Sequence, residues 1–126
     1  MTEPDGTARS RAWLGAYGEN VAVDWLRSRQ CKILARNFRG PHKGEVDIIA
    51  RDGKLLLFVE VKTRREGAKI RPLDAVDRSK QALIERGANA WLKQLGTRDI
   101  PWRFDVIEVY VEDGMKPRVN QVRDAF

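Results

Sequence analysis

The chain has 126 residues, 42% of them hydrophobic and 33% charged, with a net charge of +6 and a pI near 9.8. That is the length of one domain with one core, and the apolar content excludes wholesale disorder. One cysteine, Cys31, excludes an intramolecular disulfide and fits a reducing, cytoplasmic setting, and no apolar run reaches the ~18–20 residues that span a bilayer, so no membrane partner is expected.

Residues 1–12 are expected to form a mobile tail, since MTEPDGTARSRA has no apolar stretch of the kind a secretory signal carries. The domain is expected to run over 13–126. From Trp13 to Ser28, Leu14, Gly18, Val21, Ala22 and Trp25 recur at helical spacing. Residues 32–38 alternate weakly and read as a strand, and Gly and Pro make 39–44 a loop. Residues 45–50 (EVDIIA) and 55–63 (LLLFVEVKT) read as strands around Asp52-Gly53, the pair favoured in a tight hairpin turn. A basic loop over 63–71 leads to a helix expected over 72–95. Pro72 stands near its start and Gly96 just past its end, where each is at home. Strands are then expected over 103–111 and near 118–123. The order predicts an α/β domain with a mixed β-sheet flanked by helices.

With Asp52 and Gly53 as the turn residues, Arg51 faces Lys54, Ile49 faces Leu56, Asp47 faces Phe58 and Glu45 faces Glu60. Strand side chains alternate faces, so Glu45, Asp47, Phe58, Glu60 and Lys62 share one face while Leu55, Leu57, Val59 and Val61 pack on the other. Asp47 and Glu60 become diagonal neighbours roughly 7–8 Å apart at Cα. Three carboxylates on one apolar hairpin repel one another, and a hard cation such as Mg²⁺ removes that penalty. Lys62 stands where it can stabilise charge on a phosphate or position a water. The plainer reading is a solvated polar face with Lys62 paired to Glu60. Lys80 lies on the apolar stripe of the second helix, four residues after Val76, and is either a snorkelling stem or a cation aimed at the same face. Basic runs flank the cluster: Arg27, Arg29, Lys32, Arg36, Arg39 and Lys43 before it, Arg64, Arg65, Lys69 and Arg71 after it. An acidic centre rimmed by Arg39, Lys43, Arg64, Arg65, Lys69 and Arg71 suits a polyanion such as DNA.

Asp47, twelve further residues and then Glu60-Val61-Lys62 resemble the PD-(D/E)XK nuclease superfamily, whose fold is restriction-endonuclease-like. Gly18-Glu19, Gly44-Glu45-Val46-Asp47 and Phe58-Val59-Glu60-Val61-Lys62-Thr63-Arg64 together resemble the YraN-like family of small bacterial proteins, and more distantly the Holliday-junction resolvases. The likeness runs from about Trp13 to Val109. The proline of the superfamily name is replaced by Val46. The resemblance implies that Asp47 and Glu60 hold Mg²⁺ or Mn²⁺, that Lys62 is the catalytic lysine, that Glu19 completes the site, and that Lys80 matches a polar position on the following helix; the shared strand face adds Glu45 as a further metal ligand. It implies a DNA endonuclease acting on branched or damaged DNA, in repair or recombination. Two other classes fit: a DNA-binding adaptor that does not cleave, and an interaction domain dimerising through Trp102, Phe104 and Tyr110. His42 reads as a surface residue and Cys31 as a small buried hydrophobe.

Overall fold

The computed structural model describes residues 10–67 and 76–126. Helix α1 (Arg11–Ser28) is followed by strands β1 (Lys32–Arg39), β2 (Glu45–Asp52) and β3 (Leu55–Arg65), helix α2 (Arg78–Leu95), and strands β4 (Trp102–Val111) and β5 (Arg118–Val122). The strands form one sheet in the order β1-β2-β3-β4-β5. All neighbours are antiparallel except β3 and β4, which run parallel because α2 carries the chain back between them. The expected α/β domain with a mixed, helix-flanked sheet is the observed one. No helix among the described residues is long and apolar enough to cross a membrane.

Each helix covers one face. Ala22, Val23 and Leu26 of α1 pack on Ile48, Ala50, Leu57, Val59, Ile107 and Val109. Ile84, Ala88 and Leu92 of α2 pack on Val46, Ile49, Leu56, Phe58 and Val106. Trp102 and Phe104 are drawn into this second core, Phe104 lying between Phe58 and Phe126 at ring distances of 5.6 and 5.2 Å. Both remain partly exposed.

Several boundaries differ from the sequence expectation for local reasons. Helix α1 starts two residues early, at Arg11, because the Ser10 hydroxyl accepts the Trp13 N–H and caps it. Helix α2 starts at Arg78 instead of Pro72, because the Asp77 carboxylate accepts the Lys80 N–H. Val76 precedes the cap yet stays buried, and the expected helical turn over 72–75 lies outside the described residues. Gly96 closes α2 in the left-handed region at φ 82°, as its position predicted. Strand β3 runs on to Arg65, so the start of the expected basic loop is strand.

The hairpin turn also shifts. Asp52 pairs with Leu55, leaving Gly53 and Lys54 as the turn, with Gly53 at φ 59°. Glycine at the first central position is what a type II′ turn requires, whereas the expected type I′ turn needs two positive φ values. Ile49 therefore faces Phe58, not Leu56. The displacement is two residues, so the side chains from Ile48 to Asp52 and their partners on β3 keep their faces.

Candidate functional site

The β2–β3 ladder ends at Ile48 opposite Val59. Continued by one step, its register sets Asp47 level with Glu60 rather than diagonal to it. At that level the backbone pairing gives way to a side chain: Asp47 Oδ2 accepts the Val61 N–H at 2.9 Å. The two strands fork here. Strand β2 also changes face across Asp47, since Val46 packs with α2 and Ile48 with α1. Opposite, Asn37 of β1 takes a left-handed φ of 50°. These irregularities set the Asp47 carboxylate at the mouth of the fork.

Glu60 lies beside it and is only 3% exposed. Its Oε2 is buried and accepts no hydrogen bond, while the Asp47 carboxylate lies close enough to share a proton with Glu60. Its Oε1 has two ammonium groups nearby, Lys62 Nζ and Lys80 Nζ, each at 3.6 Å. Burial, and then the charge of Asp47, push the Glu60 pKa up to about 8 against the pull of those two lysines. An orphaned buried carboxylate oxygen next to a second carboxylate is the donor chemistry a hard divalent cation uses.

Glu45 stands on the α2 side. Its Oε1 accepts a hydrogen bond from Lys80 Nζ and its Oε2 one from Arg39 Nη1 at 2.8 Å. The Lys80 hydrogen bond leads in holding the Glu45 pKa below the usual carboxylate value, against desolvation. Desolvation works against the Lys80 charge too, but the bond to Glu45 and the charges of Glu60, Glu45 and Asp47 outweigh it and raise its pKa. Among the described residues, no three His, Cys, Asp or Glu side chains group closely enough to hold a metal ion as they stand. The pair Asp47 and Glu60 is together; Lys80 stands between Glu60 and Glu45.

Beneath α1 a cleft of about 730 Å³ opens at the same fork, lined by Arg11, Glu19, Asp47, Lys62, Arg64 and Arg65 among others. Gly18 lets α1 lie close on β3 beside it: a Cβ there would come within 1.7 Å of Thr63 Oγ1. Glu19 thus reaches the cleft, where its Oε1 accepts from Arg36 Nε at 3.0 Å and Asn37 Nδ2 at 3.1 Å. Arg36, read from the sequence as part of a basic flank, is spent on Glu19 and Asn20.

The other basic residues divide. Arg64 and Arg65 line the cleft. Lys43 is exposed in the loop before β2, next to His42, both with left-handed φ. Arg39 is exposed but tied to Glu45. Lys69 and Arg71 lie outside the described residues. Sequence reasoning missed Arg11, which stood in the expected tail, and Glu108. Glu108 is fully buried, accepts from Asn120 Nδ2 at 2.7 Å, and lies level with Lys62 across the parallel ladder. A buried acid in the run VIEVYV was a visible signal, but its partner depends on where the crossover sets β4.

A family model described as "Uncharacterised protein family UPF0102" matches residues 18–109. A UPF0102 protein of Geotalea uraniireducens is 46% identical over 113 residues, covering 90% of this chain and 88% of that protein. One of Geobacter sulfurreducens is 45% identical over the same shares of both chains. One of Chlorobaculum tepidum is 49% identical over 100 residues, covering 77% of this chain and 74% of that protein.

Proposed function

This chain belongs to the uncharacterised protein family UPF0102, a description that names no activity, and we propose one from the site: divalent-metal-dependent hydrolysis of phosphodiester bonds in DNA, on a scaffold of the restriction-endonuclease kind. The observation that carries this reading is the Asp47–Glu60 pair, Glu60 with its orphaned buried Oε2 and Asp47 lining a cleft that also bears Arg11, Arg64 and Arg65. Asp47 and Glu60 would hold Mg²⁺ or Mn²⁺, with Glu45 as a further oxygen ligand. The ion, when bound, supplies a Lewis acid that offsets the charge developing on the phosphoryl oxygens. Lys62, anchored at Glu60, presents an ammonium at the same edge, where it can steady that charge or hold a proton of the attacking water. Lys80 adds a second cation from α2. Glu19 fixes Arg36 and Asn37 on the wall next to Asp47 and offers a third acid to the cleft. Arg64, Arg65 and Lys43, with Arg39 at the rim, supply the charge that holds a phosphate backbone without reading its sequence. Lys69 and Arg71 extend this basic stretch in sequence. Branched or damaged DNA is the substrate class proposed.

The test is incubation of the purified protein with branched, nicked, single-stranded and linear DNA in Mn²⁺. Cleavage should be lost in an Asp47→Ala, Glu60→Ala double variant. Equal cleavage by both proteins would identify a contaminant and sink the proposal.

One observation favours a second reading, a DNA-binding module that does not cleave: the described residues hold no ready group of three metal-ligating side chains. Such a module would bind DNA with a steep salt dependence and give no heat on Mn²⁺ titration.

A further inference from the structure

Lys80 reaches the carboxylates from the first turn of α2, and the helix is pressed hard onto the sheet. Gly87 of α2 lies so near β2 that a Cβ would come within 2.8 Å of Val46 Cγ2 and 3.0 Å of the Glu45 backbone. Gly44 meets the helix from the other side, its own added Cβ falling 2.7 Å from Gly87 N. The root of Lys80 is thereby fixed over Glu45 and Glu60, and only its four-carbon stem is free to move.

Its Nζ donates to Glu45 Oε1 and stands 3.6 Å from Glu60 Oε1. Lys62 Nζ is 3.6 Å from that same Glu60 oxygen. Two ammonium groups share one oxygen while the other oxygen of Glu60 has none. A divalent ion ligated by both Glu60 and Glu45 sits about 2.0–2.1 Å from their oxygens. Lys80 Nζ is the atom in contact with both, so the ion and the ammonium compete for one place. Two positive centres there would also repel strongly at short range. Lys62 is not the competitor. It is rooted two residues from Glu60 on β3, borders the cleft beneath α1, and pairs with Glu60 from that side.

We propose that Lys80 is an internal counter-ion which a divalent cation must displace: loading the site exchanges the Lys80 ammonium for the metal between Glu45 and Glu60, and the freed ammonium is left to meet the phosphate of the substrate. This deepens the nuclease reading and rests on it. It explains why Glu45, Glu60 and Asp47 do not already form a three-carboxylate cage: a lysine holds one of the three apart.

The experiment is pulsed acetylation of the wild-type protein with acetic anhydride, in EDTA or in saturating Mn²⁺, with each lysine mapped by mass spectrometry. Mn²⁺ binding is followed in parallel by electron paramagnetic resonance. Lys80 should be protected in EDTA and become several-fold more reactive in Mn²⁺, with Lys93 at the far end of α2 unchanged. A Lys80→Gln variant should bind Mn²⁺ about tenfold more tightly, as expected for removal of one competing charge, and Lys93→Gln should bind as wild type does. Wild-type protein that binds Mn²⁺ with Lys80 still protected overturns the exchange and leaves the metal site standing, as does a folded Lys80→Gln variant with unchanged affinity. Wild-type protein that binds no Mn²⁺ overturns both. The labelling arm uses unaltered protein, so misfolding of the variant does not shield the proposal.

Discussion

Glu60→Gln keeps the side-chain volume and removes the ionisable proton, which isolates the electrostatic cost of the buried acid. An ordinary glutamate titrates at 4.5, whereas Glu60 is pushed up to about 8 in the fold. Between those values the native protein holds a proton that the unfolded chain has already released. The unfolded state then binds fewer protons, so stability falls as pH rises: the contribution is complete below about 4.5 and lost by about 8. One proton gives at most ~1.4 kcal/mol per pH unit, hence a loss on the order of a few kcal/mol across the window. Glutamine carries no such slope. The stability difference between variant and wild type should therefore grow with pH by about 1 kcal/mol per unit between pH 5.5 and 7.5, because every other titrating group is common to both. Urea denaturation in EDTA at several pH values measures it. Parallel profiles would mean that Glu60 is ionised at neutral pH, and the desolvation argument would fail. In excess Mn²⁺ that slope should vanish for the wild type, because binding the metal releases the Glu60 proton. Metal at about 100 times its Kd should add about 2.7 kcal/mol to the wild type and little to the variant, and Mn²⁺ affinity should climb with pH until about pH 8.

Three further outcomes are expected. Gly18→Ala should cost about 3 kcal/mol or more, at the upper end of overpacking, since its Cβ would stand 1.7 Å from Thr63 Oγ1 and 2.8 Å from Thr63 Cβ; adding Thr63→Ala should recover only part, as thermal denaturation would show. Asp47→Ala leaves the Val61 N–H without its acceptor and should be less stable than Asp47→Asn by about 1–3 kcal/mol; equal unfolding midpoints would dismiss that bond as a strut of the fork. Replacing Arg64 and Arg65 together by Gln should weaken duplex binding and lower the slope of log K against log salt by about 2. An unchanged slope in fluorescence anisotropy would place the DNA elsewhere.

Much of this geometry was legible in the chain. Asp52-Gly53 located the hairpin, and although the turn proved to be Gly53-Lys54, a two-residue displacement preserves faces. Glu60 and Lys62 were thereby set opposite the apolar Leu57 and Val59, while helical spacing left Lys80 as either a snorkelling stem or a cation aimed at them. What the pattern could not contain was the break in alternation at Asp47. It depends on Asn37 adopting a left-handed φ on the neighbouring strand and on a carboxylate replacing a backbone acceptor. Local periodicity carries neither. The pairing of Arg36 with Glu19 was not legible, because a charge run does not say which arginine an acid on another element will claim. Glu108 escaped notice because its neighbour Lys62 lies across a parallel ladder, and parallel registers are set by the crossover, not by a turn.

The crossover also bears on the order in which the site is assembled. Asp47 and Glu60 are separated by one tight hairpin, a unit that closes in about 1–10 μs, whereas Lys80 is 35 residues from Glu45 and arrives only when α2 docks. Short loops close at lower entropic cost than long ones. Folding is thus expected to bring two carboxylates together before Lys80 arrives, and the docking of α2, driven by the burial of Ile84, Ala88 and Leu92, supplies that ammonium in the same event. Salt that screens the carboxylates should ease the first event and weaken the second, so the folding and unfolding arms of a chevron should respond to ionic strength unequally.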